Sequence, residues 1–189
     1  KISTSRGDYG VKNGFVTNKV KTNIGATTGE FAFITYEGKL YIYSVEGKSF
    51  ISRDRKTDSN GWSNILLSDS IIEPFKVQYT GGSTNYPYCL TSLGYIANVA
   101  SSTQKGVVLN TYNKSDKGNQ TKIVESGDFD PTEALKTLKD YFDRWVTVTY
   151  RIEDADGNLL EEFTNLEQTG LVISKIPETY KTRAYTTYA

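Results

Sequence analysis

The feature that most constrains the fold is a repeat in the first two-thirds of the chain. Three short runs, each ending in glycine, align without gaps and begin at residues 31, 75 and 120, a period of 44 to 45 residues. They are Phe31–Gly38, Phe75–Gly82 and Gln120–Gly127. A repeated unit of this kind buries its apolar side chains against the other copies. The repeat therefore predicts one β domain built from three similar parts.

Each copy contains about four runs that are typical of short β-strands. Period-two alternation, as in Phe31–Phe33 and Tyr41–Tyr43, favours strands over helices. The predicted strands are Ile2–Gly7, Gly14–Thr17, a weaker one near Ile24, Phe31–Gly38, Ile42–Gly47, Ser49–Ser52, Ile65–Leu67, Phe75–Gly82, Cys89–Gly94, Gly94–Ala97, Val107–Leu109 and Gln120–Gly127.

Three four-stranded copies with turns between them fit a β-trefoil. In that fold six strands close a barrel and three hairpins cap one end, so no sheet edge is left open. A propeller with four-stranded blades is the competing arrangement, but it usually has at least four blades. We therefore predict a mainly β protein with a β-trefoil at residues 1–127.

A helix is predicted directly after the third copy. Asp130 and Pro131 form a helix-start signature with Thr132 and Glu133, because aspartate is a good N-cap and proline is favoured at the first helical position. Apolar residues then recur at three- and four-residue spacing, which predicts a connecting helix at residues 128–145. These residues are Ala134, Leu135, Leu138, Tyr141, Phe142 and Trp145.

The last part of the chain returns to a strand pattern. Asp156 and Gly157 separate two alternating runs and predict a hairpin within a small β module at residues 146–189, whose short length suggests that it is incomplete. The same turn resembles half of a calcium loop, but Asn165 stands where that loop needs a glutamate. The segment Val146–Leu160 resembles the Ig-like or mucin-binding-type β modules of bacterial surface proteins.

The composition excludes several classes of function. Lys and Arg together number 22, as do Asp and Glu, so no net charge attracts nucleic acid or an anionic membrane. The chain has no histidine, which excludes Ser-His-Asp, Cys-His and zinc-His sites. The single cysteine, Cys89, lies in an apolar run and is expected to be buried.

The sequence also lacks the signatures of an enzyme. It contains neither a P-loop nor a dinucleotide fingerprint, and no pair of carboxylates of the kind that a glycosidase needs is recognisable. No apolar stretch is long enough to cross a membrane. We therefore predict no catalytic residue, no cofactor, no metal site and no membrane insertion.

The third copy alone gathers side chains that are suited to binding a sugar. They are Asn98, Asn110, Tyr112, Asn119 and Gln120. Aromatic rings stack on the apolar face of a sugar, and amides hydrogen-bond its hydroxyls, so these residues predict one shallow carbohydrate site. The alternative is that the amides satisfy backbone groups of their own loop and that the tyrosine packs.

These five residues give the third copy a resemblance to the ricin-type lectins, which bind galactose-like sugars. The resemblance implies that Asn98, Asn110, Tyr112, Asn119 and Gln120 contact such a sugar. The chain departs from the family pattern at three kinds of position. Asn98 stands where the family has aspartate, Lys122 where it has tryptophan, and Phe31 and Phe75 where it has glutamine.

The segment Lys117–Leu138 resembles the end of modules that are appended to secreted or surface glycan-degrading enzymes of gut bacteria. This resemblance implies a non-catalytic accessory module, secreted or at the cell surface, whose partners are a glycan and other domains of a longer parent chain. The absence of methionine also suggests a piece cut from a longer precursor. The alternative function is a structural or protein-interaction scaffold that binds no sugar.

Overall fold

A computed structural model describes residues 1–18, 27–81, 83–99, 106–111, 114–168 and 183–188. The contacts between residues divide the chain into two compact units, Lys1–Leu138 and Lys139–Ala189. The division into a domain at 1–127, a linking helix at 128–145 and a module at 146–189 stays a prediction.

The first unit is an assembly of antiparallel strands. They are β1 (Ile2–Thr4), β2 (Gly7–Lys12), β3 (Phe15–Asn18), β4 (Thr27–Thr28), β5 (Phe31–Tyr36), β6 (Lys39–Ser44), β7 (Ser49–Thr57), β8 (Ser63–Leu67), β9 (Lys76–Tyr79), β10 (Tyr88–Ser92), β11 (Tyr95–Val99), β12 (Val107–Asn110) and β13 (Thr121–Ile123). Each predicted run overlaps a strand except the one near Ile24, which lies outside the described residues.

Eight of these strands form a closed antiparallel barrel. Around the barrel the order is β1, β2, β3, β8, β12, β11, β10 and β13, and β13 pairs again with β1. The pairing of β8 with β12 places Val108 opposite Asn64 and closes the ring. Outside it, β7, β6 and β5 continue the sheet from β8, while β4 pairs with β2 and β9 with β10.

The β-trefoil prediction is wrong, although the mainly β character was predicted correctly. A trefoil takes the same number of barrel strands from each repeat. Here the first copy supplies β1, β2 and β3, the second supplies β8 alone, and the third supplies β10 to β13. The ring is therefore larger than the trefoil's six-stranded barrel and lacks its threefold symmetry.

One unpredicted strand explains much of this difference. In β2 the glycines Gly7 and Gly10 interrupt the apolar alternation, so this segment has the composition of a turn. In the structure it lies between β1 and β3 and pairs with both. With β2 between them, β1 and β3 are not neighbours in the barrel, and the first copy supplies three barrel strands.

The barrel encloses a core of apolar side chains. Among its fully buried members are Ile2, Tyr9, Ile65, Leu90 and Leu109. Burial raises the pKa of the Tyr9 hydroxyl well above its usual range, and the nearby Cys89 raises it further. These side chains come from five different strands, so the core holds distant parts of the sequence together.

Two further residue predictions can be compared with the structure. Cys89 is buried, as its apolar neighbours predicted. The run Tyr41–Tyr43 forms part of β6, but all three of its side chains are buried rather than every second one. β6 therefore lies beneath other residues on both of its faces.

The helix α1 extends from Thr132 to Asp143. The carboxylate of Asp130 accepts a hydrogen bond from the backbone N–H of Thr132 at 3.0 Å, which confirms the predicted cap. Hydrogen bonds from the Thr132 hydroxyl and N–H hold the pKa of Asp130 below its ordinary value. Trp145 was predicted to belong to the helix but lies in the following strand. At 12 residues, α1 is too short to cross a bilayer, and no other described segment is a spanning helix.

The second unit contains a three-stranded antiparallel sheet in the order β15, β14, β16. Its strands are β14 (Trp145–Glu153), β15 (Leu159–Gln168) and β16 (Arg183–Tyr188). The predicted hairpin is confirmed: Asp154 accepts hydrogen bonds from the backbone N–H groups of Asp156 and Asn158, and Gly157 adopts a φ of 86°. Tyr150 stacks on Phe163 across the two strands at 5.0 Å.

The barrel core predicts a difference between two nearby leucines. Leu90 is fully buried, whereas Leu93 in the turn after β10 is 57% exposed. We expect Leu90→Ala to lower the free energy of unfolding by about 2–5 kcal/mol, because it removes packed methyl groups and leaves a cavity. The control Leu93→Ala should change it by less than about 0.5 kcal/mol. Urea unfolding followed by circular dichroism measures both, and equal losses would contradict the assignment of the core.

Candidate functional site

The structure places four of the five predicted sugar-binding residues inside the protein. Asn98 lies on β11, Asn110 ends β12, and Asn119 and Gln120 immediately precede β13. Their exposed fractions are 1%, 0%, 0% and 9%. Tyr112, the predicted stacking residue, lies outside the described residues. The assignment of these five as a sugar site therefore stays a prediction.

Two of the predicted residues, Asn98 and Asn119, are joined by a side-chain hydrogen bond. The side-chain amide of Asn98 donates to the side-chain oxygen of Asn119 at 2.5 Å and to the carboxylate of Asp116 at 3.0 Å. The same carboxylate accepts the backbone N–H of Gly118 at 2.8 Å. Asn98 thus binds side chains of the loop that precedes β13. The side-chain amide of Gln120 donates to the backbone carbonyl of Ser115 at 3.3 Å, which is the kind of bond that the alternative interpretation expects.

Arg6 joins this network from the other end of the chain. Its guanidinium donates to the carboxylate of Asp116 at 3.0 Å and to the backbone carbonyl of Val99 at 2.9 Å. The side chain of Asn18 in turn donates to the backbone carbonyl of Arg6 at 2.6 Å. The turn between β1 and β2 is thus tied to the loop that precedes β13.

The network controls the charge of Asp116. Partial burial by itself would raise the pKa of this carboxyl group. The hydrogen bonds from Gly118 and Asn98, together with the charge and hydrogen bond of Arg6, outweigh burial and hold the pKa below its ordinary value. Asp116 therefore carries its negative charge at neutral pH and pairs with Arg6.

Gly118 is required by the close approach of this loop to β11. A Cβ atom at Gly118 would lie 2.3 Å from the carbonyl oxygen of Val99 and 2.6 Å from the guanidinium of Arg6. The backbone also makes a hydrogen bond here, from Val99 N–H to the carbonyl of Gly118 at 2.9 Å. Only glycine leaves room for this contact.

Sequence reasoning missed Arg6, Asp116 and Gly118. The spacing of Asp116 and Gly118 is a common turn signal and could have indicated a loop closed by the aspartate. Arg6 had no such signal, because its partner Asp116 lies 110 residues away. This network could not be predicted from the sequence, because it depends on the pairing of β1 with β13, which brings Arg6 close to Asp116.

A separate feature of the first unit is an open groove with a volume of about 910 Å³. Its apolar lining includes Leu40, Phe75, Val77 and Ile96. The backbone N–H of Phe75 donates to the carbonyl of Leu40 at 2.8 Å, which joins the β5–β6 hairpin to the segment before β9. The turn residue Leu93 adds an exposed apolar edge.

The groove also presents polar groups. The side-chain oxygen of Gln78 is buried and has no hydrogen-bond partner among the described residues. Three lysines, Lys39, Lys76 and Lys114, line the same groove. Burial raises the pKa of Cys89, and the charge of Lys114 opposes that rise, so this ammonium lies near Cys89. Since Cys89 pairs with Gln78 across β9 and β10, Lys114 is also close to this strand pair.

An exposed pair of aromatic rings lies at the end of the β9–β10 hairpin. Tyr79 and Tyr88 are opposite each other, with ring centroids 6.2 Å apart, and their exposed fractions are 75% and 38%. The loop beyond them is held by a hydrogen bond from Thr80 N–H to the carbonyl of Pro87 at 2.8 Å. Exposed tyrosines of this kind are common on binding surfaces.

Comparisons with known proteins give no family for the chain. No protein-family model matches it, and neither a curated protein nor a solved structure matches at a significant level. Within the described ranges, no three His, Cys, Asp or Glu side chains are grouped so as to hold a metal ion. The resemblance to ricin-type lectins stays a prediction.

The Asp116 network predicts a pH-dependent contribution to stability. Because the pKa of Asp116 is lower in the folded protein, its contribution is complete above the ordinary value of about 3.8 and is lost as pH falls through the folded value. At pH 7 we expect Asp116→Asn to lower the free energy of unfolding by about 1–2 kcal/mol. The difference from the original protein should shrink below about pH 4.

Urea unfolding at a series of pH values measures this effect. Asp128→Asn is the matched control, because Asp128 is exposed in the segment before α1. That variant should follow the original protein throughout. A constant difference for Asp116→Asn across the whole pH series would show that the charge of Asp116 does not stabilise the fold.

Proposed function

We propose that this chain is a non-catalytic carbohydrate-binding module, an accessory part of a larger secreted or cell-surface protein. The observation that carries the proposal is the groove, in which polar side chains, Gln78 among them, lie beside an apolar lining. The side-chain oxygen of Gln78 has no described hydrogen-bond partner, so a rotation of this side chain into the groove would let a ligand O–H group satisfy it.

The chemistry of the groove suits a sugar ring. A pyranose has apolar C–H faces, which can cover Leu40 and Ile96, and hydroxyl groups, which can donate to Gln78. Thr91 supplies a further hydroxyl at the same surface. The volume of about 910 Å³ lies within the range of small-ligand sites. The groove is open to solvent, so we expect binding to be weak and independent of metal.

The buried amides have a supporting role in this proposal. Asn98, Asn119 and Asp116 bond to one another around the loop that precedes β13; this loop contains Lys114, which is part of the groove. In this proposal, the polar residues of the third copy position Lys114 at the groove. Direct contact of a sugar with Tyr112 is the other possibility that the sequence suggests, and it is tested separately.

A specific observation also favours the alternative function, a scaffold without sugar binding. The amides of Asn98 and Asn119 are bonded to each other inside the protein, and Asn110 is fully buried. Residues used in this way stabilise a loop without any ligand. A scaffold accounts for these buried amides, but it does not account for the side-chain oxygen of Gln78, which has no described hydrogen-bond partner.

Glycan binding and one pair of variants test the proposal. We expect weak binding to a subset of glycans on an array, confirmed by calorimetry. Gln78→Ala should then weaken binding by about five- to tenfold, because it removes one hydrogen bond that replaces an otherwise unpaired group. The control Gln168→Ala, in the second unit, should bind as the original protein does.

Tyr112→Ala separates the two possible sites. If the sugar lies in the groove, this variant keeps most of the affinity. Loss of binding in Tyr112→Ala with no change in Gln78→Ala would move the site to the third-copy loop. If the array and the titrations show no glycan binding at all, the scaffold function is supported instead.

A further inference from the structure

The groove carries a positive charge that the chain as a whole does not have. Basic and acidic residues balance at 22 each. The groove nevertheless gathers Lys39 from the start of β6, Lys76 from the start of β9 and Lys114 from the loop after β12. No carboxylate is among its described lining residues. Three separate segments therefore bring cations to one surface.

These lysines are available to a ligand. Lys39, Lys76 and Lys114 are all exposed. In the part of the chain that the structure describes, none of the three forms an ion pair, whereas other charged residues such as Arg6 and Lys139 do. Ammonium groups beside an apolar surface produce a stronger local field than the same groups surrounded by water. The groove is thus suited to hold a negative charge.

We infer that the ligand of the groove is an acidic sugar, one that carries a carboxylate or a sulfate on its ring or side chain. This inference rests on the proposed carbohydrate-binding function. The anionic group lies among the lysines, the ring covers the apolar lining that includes Leu40 and Ile96, and a hydroxyl donates to the oxygen of Gln78. A neutral sugar would use only the last two interactions.

The decisive experiment compares three matched probes by calorimetry: lactose, sialyllactose and sulfated lactose. We expect the acidic probes to bind at least about tenfold more tightly than lactose, because charged hydrogen bonds are stronger than neutral ones. The preference should fall as ionic strength rises, since salt screens exposed charges. A carboxylate site favours sialyllactose, and a sulfate site favours sulfated lactose.

Charge-removing variants locate the effect. Lys39→Gln, Lys76→Gln and Lys114→Gln should each weaken the acidic probes by about two- to threefold, and the triple variant should bind them no more tightly than lactose. All should leave lactose binding unchanged. Lys122→Gln is the control, because Lys122 is an exposed lysine on β13 outside the groove. Circular dichroism verifies that each variant is folded.

The possible outcomes separate a failure of the acidic preference from a failure of the proposed carbohydrate-binding function. If lactose binds as tightly as the acidic probes and salt has no effect, the chain binds glycans but the acidic preference is overturned. If none of the three probes nor any arrayed glycan binds, the proposed function fails and the inference with it. If polyglutamate or inorganic sulfate competes as well as sialyllactose, the groove binds anions without needing a sugar, which also overturns the inference.

Discussion

The structure of the first unit depends on the closure of its barrel. β1 pairs with β13, and the terminal ammonium of Lys1 donates to the carbonyl of Val124, 123 residues further along the chain. β8 pairs with β12 to complete the ring. Because every barrel strand then has a neighbour on both sides, its backbone groups are satisfied without an open edge. The core, the Arg6 network and the groove walls all presuppose this closure.

Much of the local structure could be predicted from the sequence, but the topology could not. Alternating apolar residues and glycine turns located most strands, and Asp130 and Gly157 marked a helix start and a hairpin. Those signals act over a few residues. Whether the strands close as six or eight depends on pairings between distant segments, such as Val108 with Asn64. Because β2 contains Gly7 and Gly10, the sequence pattern indicated a turn where the structure has a barrel strand.

The candidate site shows the same division between local and distant information. The sequence identified Asn98 and Asn119 as unusual polar residues in an apolar setting, and the structure does bring them together. Residue type did not reveal that the Asn98 amide donates to both Asn119 and Asp116. The groove could not be predicted, because Lys39, Lys76 and Lys114 are far apart in sequence and share no pattern. Only the packing of separate hairpins makes them neighbours.

The single cysteine gives this fold a built-in reporter. Cys89 is fully buried on β10, and it is the only thiol in the chain. A reagent that modifies thiols can reach it only when the strands around it separate. The rate of labelling therefore reports how often the structure around Cys89 opens, without any engineered label. A sugar that bridges β9 and its neighbours would slow that labelling, so occupancy of the groove could be followed through a residue that the ligand never touches.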